Sequence, residues 1–192
     1  MKKARVSVIK NNIKKLAPLP KLKNDCDAGQ WVDAEMMRKG HIIDPTGRVD
    51  MPEYNVDNKS RKKGSTANHT VGSMTISAIS NTPLWEDTGY FPKVQNQNQI
   101  TWDPDFREVC DVRLVDMAMP EIQGPLKDAY EDLRQQVVAG VRTKTITASN
   151  GWAVLDGSGH HNSYRFRITN TAMKKILTLS AMRDSLKNFD FE

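Results

Sequence analysis

Apolar residues recur along the chain in runs that switch between helical and strand spacing. Val6, Ile9, Ile13 and Leu16 follow a helical period and predict a short amphipathic helix, which Pro18-Leu19-Pro20 breaks. Trp31, Val32, Met36 and Met37 predict an inward-packed helix reaching Lys39, capped by Asp27 and stopped by Gly40. His41-Ile42-Ile43 and Arg48-Val49-Asp50-Met51, separated by Asp44-Pro45-Thr46-Gly47, read as a hairpin, and Tyr54 to Ser60 as a further strand. Residues 64–80 are polar, with a short helical turn at Ile76 and Ile79. A long polar loop is expected over 81–106, including Gln95-Asn96-Gln97-Asn98-Gln99. Val109 to Met117 predicts a strand. Leu126, Tyr130, Leu133 and Val137 form one stripe of a helix from Pro125 to Ala139. Two strands follow, Trp152 to Leu155 and Tyr164 to Thr169, flanking the loop Gly157-Ser158-Gly159-His160-His161-Asn162. A closing helix from Thr171 to Lys187 carries Met173, Ile176, Leu177 and Leu179. The sum is an α/β fold: a small mixed β-sheet flanked by helices over 25–192, preceded by a basic N-terminal arm over 1–24.

Composition narrows the class. The 192 residues are 38% hydrophobic and 27% charged, a globular balance. No run approaches the ~18 apolar residues of a membrane helix, and the N-terminus lacks the apolar core of a secretory signal. Cys26 and Cys110 stand far apart, which excludes a disulfide framework and fits a reducing cytosol. Charge is segregated. Of 28 Lys and Arg, eight lie in residues 1–24, which hold no acid; the other 20 stand against 23 Asp and Glu. Lys59, Arg61, Lys62 and Lys63 form a second basic cluster, and Arg142, Lys144, Arg165, Arg167, Lys174 and Lys175 a third. Residues 80–141 carry eleven acids and five bases. Such placement points to one polyanion-facing side and one solvated acidic side.

The chemistry concentrates between Val49 and Arg61. Side chains two apart on a strand share a face, so Asp57 and Lys59 project together. An acid beside a lysine suits metal-assisted phosphodiester hydrolysis: the carboxylate holds a hard cation, and the ammonium orients water or offsets charge in the transition state. Mg²⁺ takes one or two carboxylates and keeps several waters. The second acid is Asp50 or, as the alternative, Glu53; both remain open at this point. Glu35 lies on the preceding helix. His69, His160 and His161 match no zinc spacing.

The pattern Asp50-x6-Asp57-x-Lys59 resembles the PD-(D/E)xK motif of restriction-type endonucleases. Within that superfamily the chain is most similar to the group of small, monomeric DNA endonucleases that includes MutH, MvaI and BcnI. Ser65-Thr66-Ala67-Asn68-His69-Thr70 and the strand Tyr164-Arg165-Phe166-Arg167-Ile168 extend the similarity. The resemblance implies a restriction-endonuclease-like fold and a Mg²⁺-dependent endonuclease, with Mn²⁺ able to substitute, that cleaves or nicks duplex DNA at a specific sequence. Asp50 and Asp57 would bind metal with the Asn58 carbonyl, Lys59 would act on the attacking water, and Glu35 would support the site. The implied setting is the cytoplasm of a bacterial or phage-infected cell. DNA contacts are expected from Lys10, Lys14 and Lys15 of the arm, from Arg61, Lys62 and Lys63, from loop residue His69, and from Arg165 and Arg167. Trp31 and Trp152 should be core, while Trp85 or Trp102 could reach DNA from the loop. The stripes at 125–139 and 171–187 are each wide enough for one core face only, so a monomer is expected. The alternative is a non-catalytic DNA-binding protein, or a phage or mobile-element structural protein.

Overall fold

The computed structural model describes residues 22, 24–44, 46, 49–157 and 162–186. The arm with Lys10, Lys14 and Lys15 lies outside them. The fold is mixed α/β, with two sheets and, among the described residues, four α-helices. The expected single sheet is therefore two, each belonging to its own compact unit. The first unit comprises the described residues of Met1–Ser65 and Pro92–Asp116, the second Thr66–Phe91 and those of Met117–Glu192.

In the first unit, α1 (Asp25–Arg38) starts ahead of the expected position. Asn24, not Asp27, is its cap: the Asn24 side chain accepts from the N–H groups of Cys26 and Asp27 at 2.9 and 3.0 Å. Gly40 ends it at φ +85°, a conformation a side chain would resist. Ala28, Val32 and Met36, spaced four apart, are fully buried against Met51, Val56, Ile100, Trp102, Phe106 and Val112. Met37, expected inside, is exposed. The expected hairpin over 41–51 is absent: the described residues there form no strand, and the Asp44 N–H donates to the Asp50 carbonyl at 3.0 Å. The strand after it is β1 (Asp57–Lys62), because Pro52–Tyr54 is a 3₁₀ turn.

The long loop also needs correction. Asn96–Trp102 is a strand, here β3, at the centre of the three-stranded order β1-β3-β4, parallel to β1 and antiparallel to β4 (Val109–Asp116). Gln97, Asn98 and Gln99 are buried, with Gln99 donating to Gln97 and Asn98 to Asn58, a polar interior that apolar periodicity would not reveal. Trp102 is fully buried, edge-on to Trp31 with ring centres 6.0 Å apart, and cannot serve as a DNA-facing side chain. Cys26 and Cys110 are free and exposed.

The second unit is an antiparallel sheet ordered β2-β7-β6-β5, formed by β2 (His69–Thr75), β5 (Thr145–Thr147), β6 (Ala153–Gly157) and β7 (Ser163–Ile168). Its helices are α2 (Ile76–Asn81), α3 (Pro120–Val138) and α4 (Asn170–Leu186). The α3 stripe is the expected one, but the helix begins at Pro120, where a missing N–H costs nothing. Trp85, Tyr90, Tyr130 and Phe166 form an aromatic core, with Tyr90 stacked on Phe166 at 4.8 Å. Trp85 is thus core as well, its Nε1–H satisfied by Gln123 Oε1 at 3.0 Å. No described helix is long and apolar enough to cross a membrane.

Candidate active site

One short loop and one strand build the site, all within the first unit. Met51 and Val56 exchange both backbone hydrogen bonds, at 2.9 and 3.2 Å. The residues just outside such a closed antiparallel pair, Asp50 and Asp57, come face to face. The reversal is made by the Pro52–Tyr54 turn and by Asn55 at φ +52°; Asn tolerates this left-handed conformation better than most residues. The six residues between the two aspartates are therefore the loop that brings them together.

Asp50 Oδ2 accepts from the Asn58 backbone N–H at 2.6 Å, and its carboxyl group is within hydrogen-bonding reach of that of Asp57. Asp57 is only 2% exposed. Lys59, next on the same strand face, brings Nζ to 2.5 Å from Asp57 Oδ2. Besides this ammonium and the facing Asp50 carboxyl, that buried oxygen has no partner among the described residues. Burial pushes the Asp57 pKa up to about 7, against the pull of the Lys59 ammonium and with the help of Asp50.

Asn58 points to the opposite face and ties the strand to its neighbours. Its Nδ2 donates to Asp33 Oδ1 on α1 at 3.1 Å, and its Oδ1 accepts from Asn98 Nδ2 on β3 at 3.0 Å. Asp33 is pushed up to about 6, by burial first and by Asp50 second. Glu35, the acid expected from this helix, is held instead by Arg38 at 2.6 Å, which draws its pKa down. Residues two apart on a helix are rotated by about 200°, so Asp33 and Glu35 cannot point to one place. The α1 carboxylate that reaches the strand is Asp33. Glu53 stands exposed on the 3₁₀ turn, so the acid beside Asp57 is Asp50.

Among the described residues no three Asp, Glu, His or Cys side chains form a set able to hold a metal by themselves. Two carboxylates are nonetheless enough for Mg²⁺, which keeps most of its waters. Asp50 and Asp57, two facing carboxylates with one ammonium beside them, fit that demand. Arg61 shares the face of Asp57 and Lys59, and its guanidinium donates to the Ser65 carbonyl at 3.3 Å. Lys62 lies on the other face, 4.9 Å above the Phe106 ring, and Lys63 is exposed.

His69, Arg165 and Arg167 belong to the second unit. His69 is not a loop residue: it opens β2 and is buried, which removes it as a surface contact. Arg165 and Arg167 share the face of β7 opposite Tyr164, Phe166 and Ile168, as expected; Arg165 is exposed and Arg167 pairs with Asp156 at 3.1 Å. Sequence reasoning missed Asp33, Gln97 and Gln99. The signal for the last two was the two-residue spacing of Gln97 and Gln99, which places them on one strand face. No known protein-family model and no curated protein matches the chain.

Proposed function

We propose that this chain is a metal-dependent endonuclease of restriction type that cleaves or nicks duplex DNA. The carrying observation is Asp57, buried and facing Asp50, with the Lys59 ammonium on its oxygen. Two facing carboxylates with a single ammonium beside them leave buried negative charge that a bound cation would offset. Asp50 and Asp57 would hold Mg²⁺ or Mn²⁺, with the Asn58 carbonyl added by resemblance to the PD-(D/E)xK enzymes. The bound cation would polarise the scissile phosphate and make a coordinated water more acidic. Lys59 then donates to the attacking water or to the phosphate oxygens, offsetting the charge that grows there. Asp33 sets the strand through Asn58 and adds negative charge close to Asp50.

The basic N-terminal residues and Arg61 supply backbone attraction that depends on salt. The chain is read as a monomer in a bacterial or phage-infected cytoplasm, meeting one DNA strand at a time. A supercoiled plasmid incubated with the protein tests this reading. Nicked circles should build up before linear product in Mg²⁺, and EDTA should stop both. DNA left intact in Mg²⁺ and in Mn²⁺ would overturn it in favour of a non-catalytic DNA-binding protein.

A further inference from the structure

Beside Asp57 and Lys59, the neighbouring strand contributes Gln97 and Gln99. The parallel register sets Gln97 across from Asp57 and Gln99 across from Lys59, and residues paired in this way share a face. Both glutamines are buried, at 0% and 3% exposure. Their amides run head to tail. Gln97 Nε2 donates to the Lys93 carbonyl at 3.0 Å, and Gln99 Nε2 donates to Gln97 Oε1 at 2.8 Å. A backbone carbonyl can only accept, so it dictates which end of Gln97 faces it, and Gln97 in turn orients Gln99. The relay therefore ends in an oxygen. That oxygen, Gln99 Oε1, is buried and has no hydrogen-bond partner among the described residues. Most buried polar atoms are satisfied, so this one needs a reason. Its chemistry restricts the answer to a donor or a cation: an ammonium, a hydroxyl, a water or a metal ion, never a phosphate oxygen.

The donor nearest in register is Lys59, whose Nζ rests on Asp57 Oδ2 and whose side chain is 22% exposed. An ammonium and a metal cation cannot share one carboxylate oxygen without repulsion. Once a cation takes Asp57, the ammonium needs a second acceptor on the same face. We propose that Gln99 is a positioning residue for Lys59, its Oε1 receiving the ammonium when Asp57 is engaged by a cation. The Lys93–Gln97–Gln99 relay holds that acceptor in place. The consequence for catalysis rests on the nuclease reading above; the pairing of Gln99 with a released Lys59 does not.

Two measurements on the full chain separate these. First, amines are acetylated with an N-hydroxysuccinimide ester and each lysine is read by peptide mass spectrometry. Asp57→Ala removes the whole carboxylate and so releases the ammonium without any metal. Adding Gln99→Met, which keeps the volume and removes the acceptor, should raise Lys59 labelling at least threefold, with Lys62 and Lys63 unchanged. Equal Lys59 labelling in the single and double variants overturns the proposal, whether or not the protein cuts DNA. Circular dichroism confirms that both variants are folded, and Gln99→Leu serves as the second acceptor-free variant. In the cleavage assay, Gln99→Met should lower kcat about tenfold with KM for DNA within twofold, and Gln99→Glu, which retains an acceptor oxygen, should recover much of the loss. Unchanged kcat in an active protein rejects the catalytic role; a wild-type chain that does not cut rejects the nuclease reading alone.

Discussion

Asp57 is where burial and charge conflict most sharply. Its carboxylate is removed from water, faces Asp50, and is compensated by one lysine in charge contact. A carboxyl whose pKa is raised in the native state stabilises the fold when protonated, and that stability is lost as pH climbs through the native value. For Asp57 the window runs from about 4 to about 7, and Asp33, raised to about 6, adds to its lower part. In EDTA, wild-type stability should fall across this range. Asp57→Asn removes the penalty, so the variant should exceed the wild type by up to about 4 kcal/mol at pH 8 and by almost nothing at pH 4. Urea melts at the two pH values check this; a variant less stable at pH 8 would mean that the Lys59 contact outweighs the desolvation.

At the scale of elements, the units owe their shape to two kinds of pattern, and only one can be read from hydrophobicity. The α1 and α3 stripes, β4 and β7 are legible because apolar residues fall at 3.6- or 2-residue spacing. The stretch Asn96–Gln99 is not, since its burial is made possible by amide-to-amide bonds that only the folded register creates. The expected hairpin partner strands do not form among the described residues; the antiparallel pairing that brings the aspartates together closes instead around Asn55, between Met51 and Val56. The spacing of Asp50, Asp57 and Lys59 was visible; which of Asp33 and Glu35 reaches the strand depends on helix phase, which needs the helix start at Asn24. In the second unit the tightest fit is Gly72 against Tyr90. A Cβ at Gly72 would stand 2.7 Å from Tyr90 Cδ1 and Cε1, and that ring is already stacked on Phe166. Gly72→Ala should therefore cost about 2 kcal/mol through overpacking. A thermal melt of the variant would show it, and an unchanged midpoint would mean that the aromatic core can shift.

Across the whole sequence, basic charge is concentrated rather than spread. The first 24 residues hold eight of the 28 basic side chains and no acid. Replacing Lys10, Lys14 and Lys15 together by Gln in the full chain should weaken duplex DNA binding at low salt. The slope of log affinity against log salt should shrink by up to about 3, since each phosphate contact contributes about 0.9. Fluorescence anisotropy over a salt series measures that slope; no change would confine these residues to solubility. Binding alone, however, does not separate a nuclease from a passive DNA-binding protein. Lys59 does, because its ammonium sits on the acid that would carry the cation while the opposite strand face supplies the packing. The decisive measurement is a supercoiled-plasmid time course in Mg²⁺ comparing wild type, Asp57→Ala and Lys59→Ala, each shown to be folded and to bind DNA. Wild type should nick the plasmid and both variants should leave it supercoiled, whereas a Lys59→Ala protein that cuts at the wild-type rate would contradict the assignment of this site.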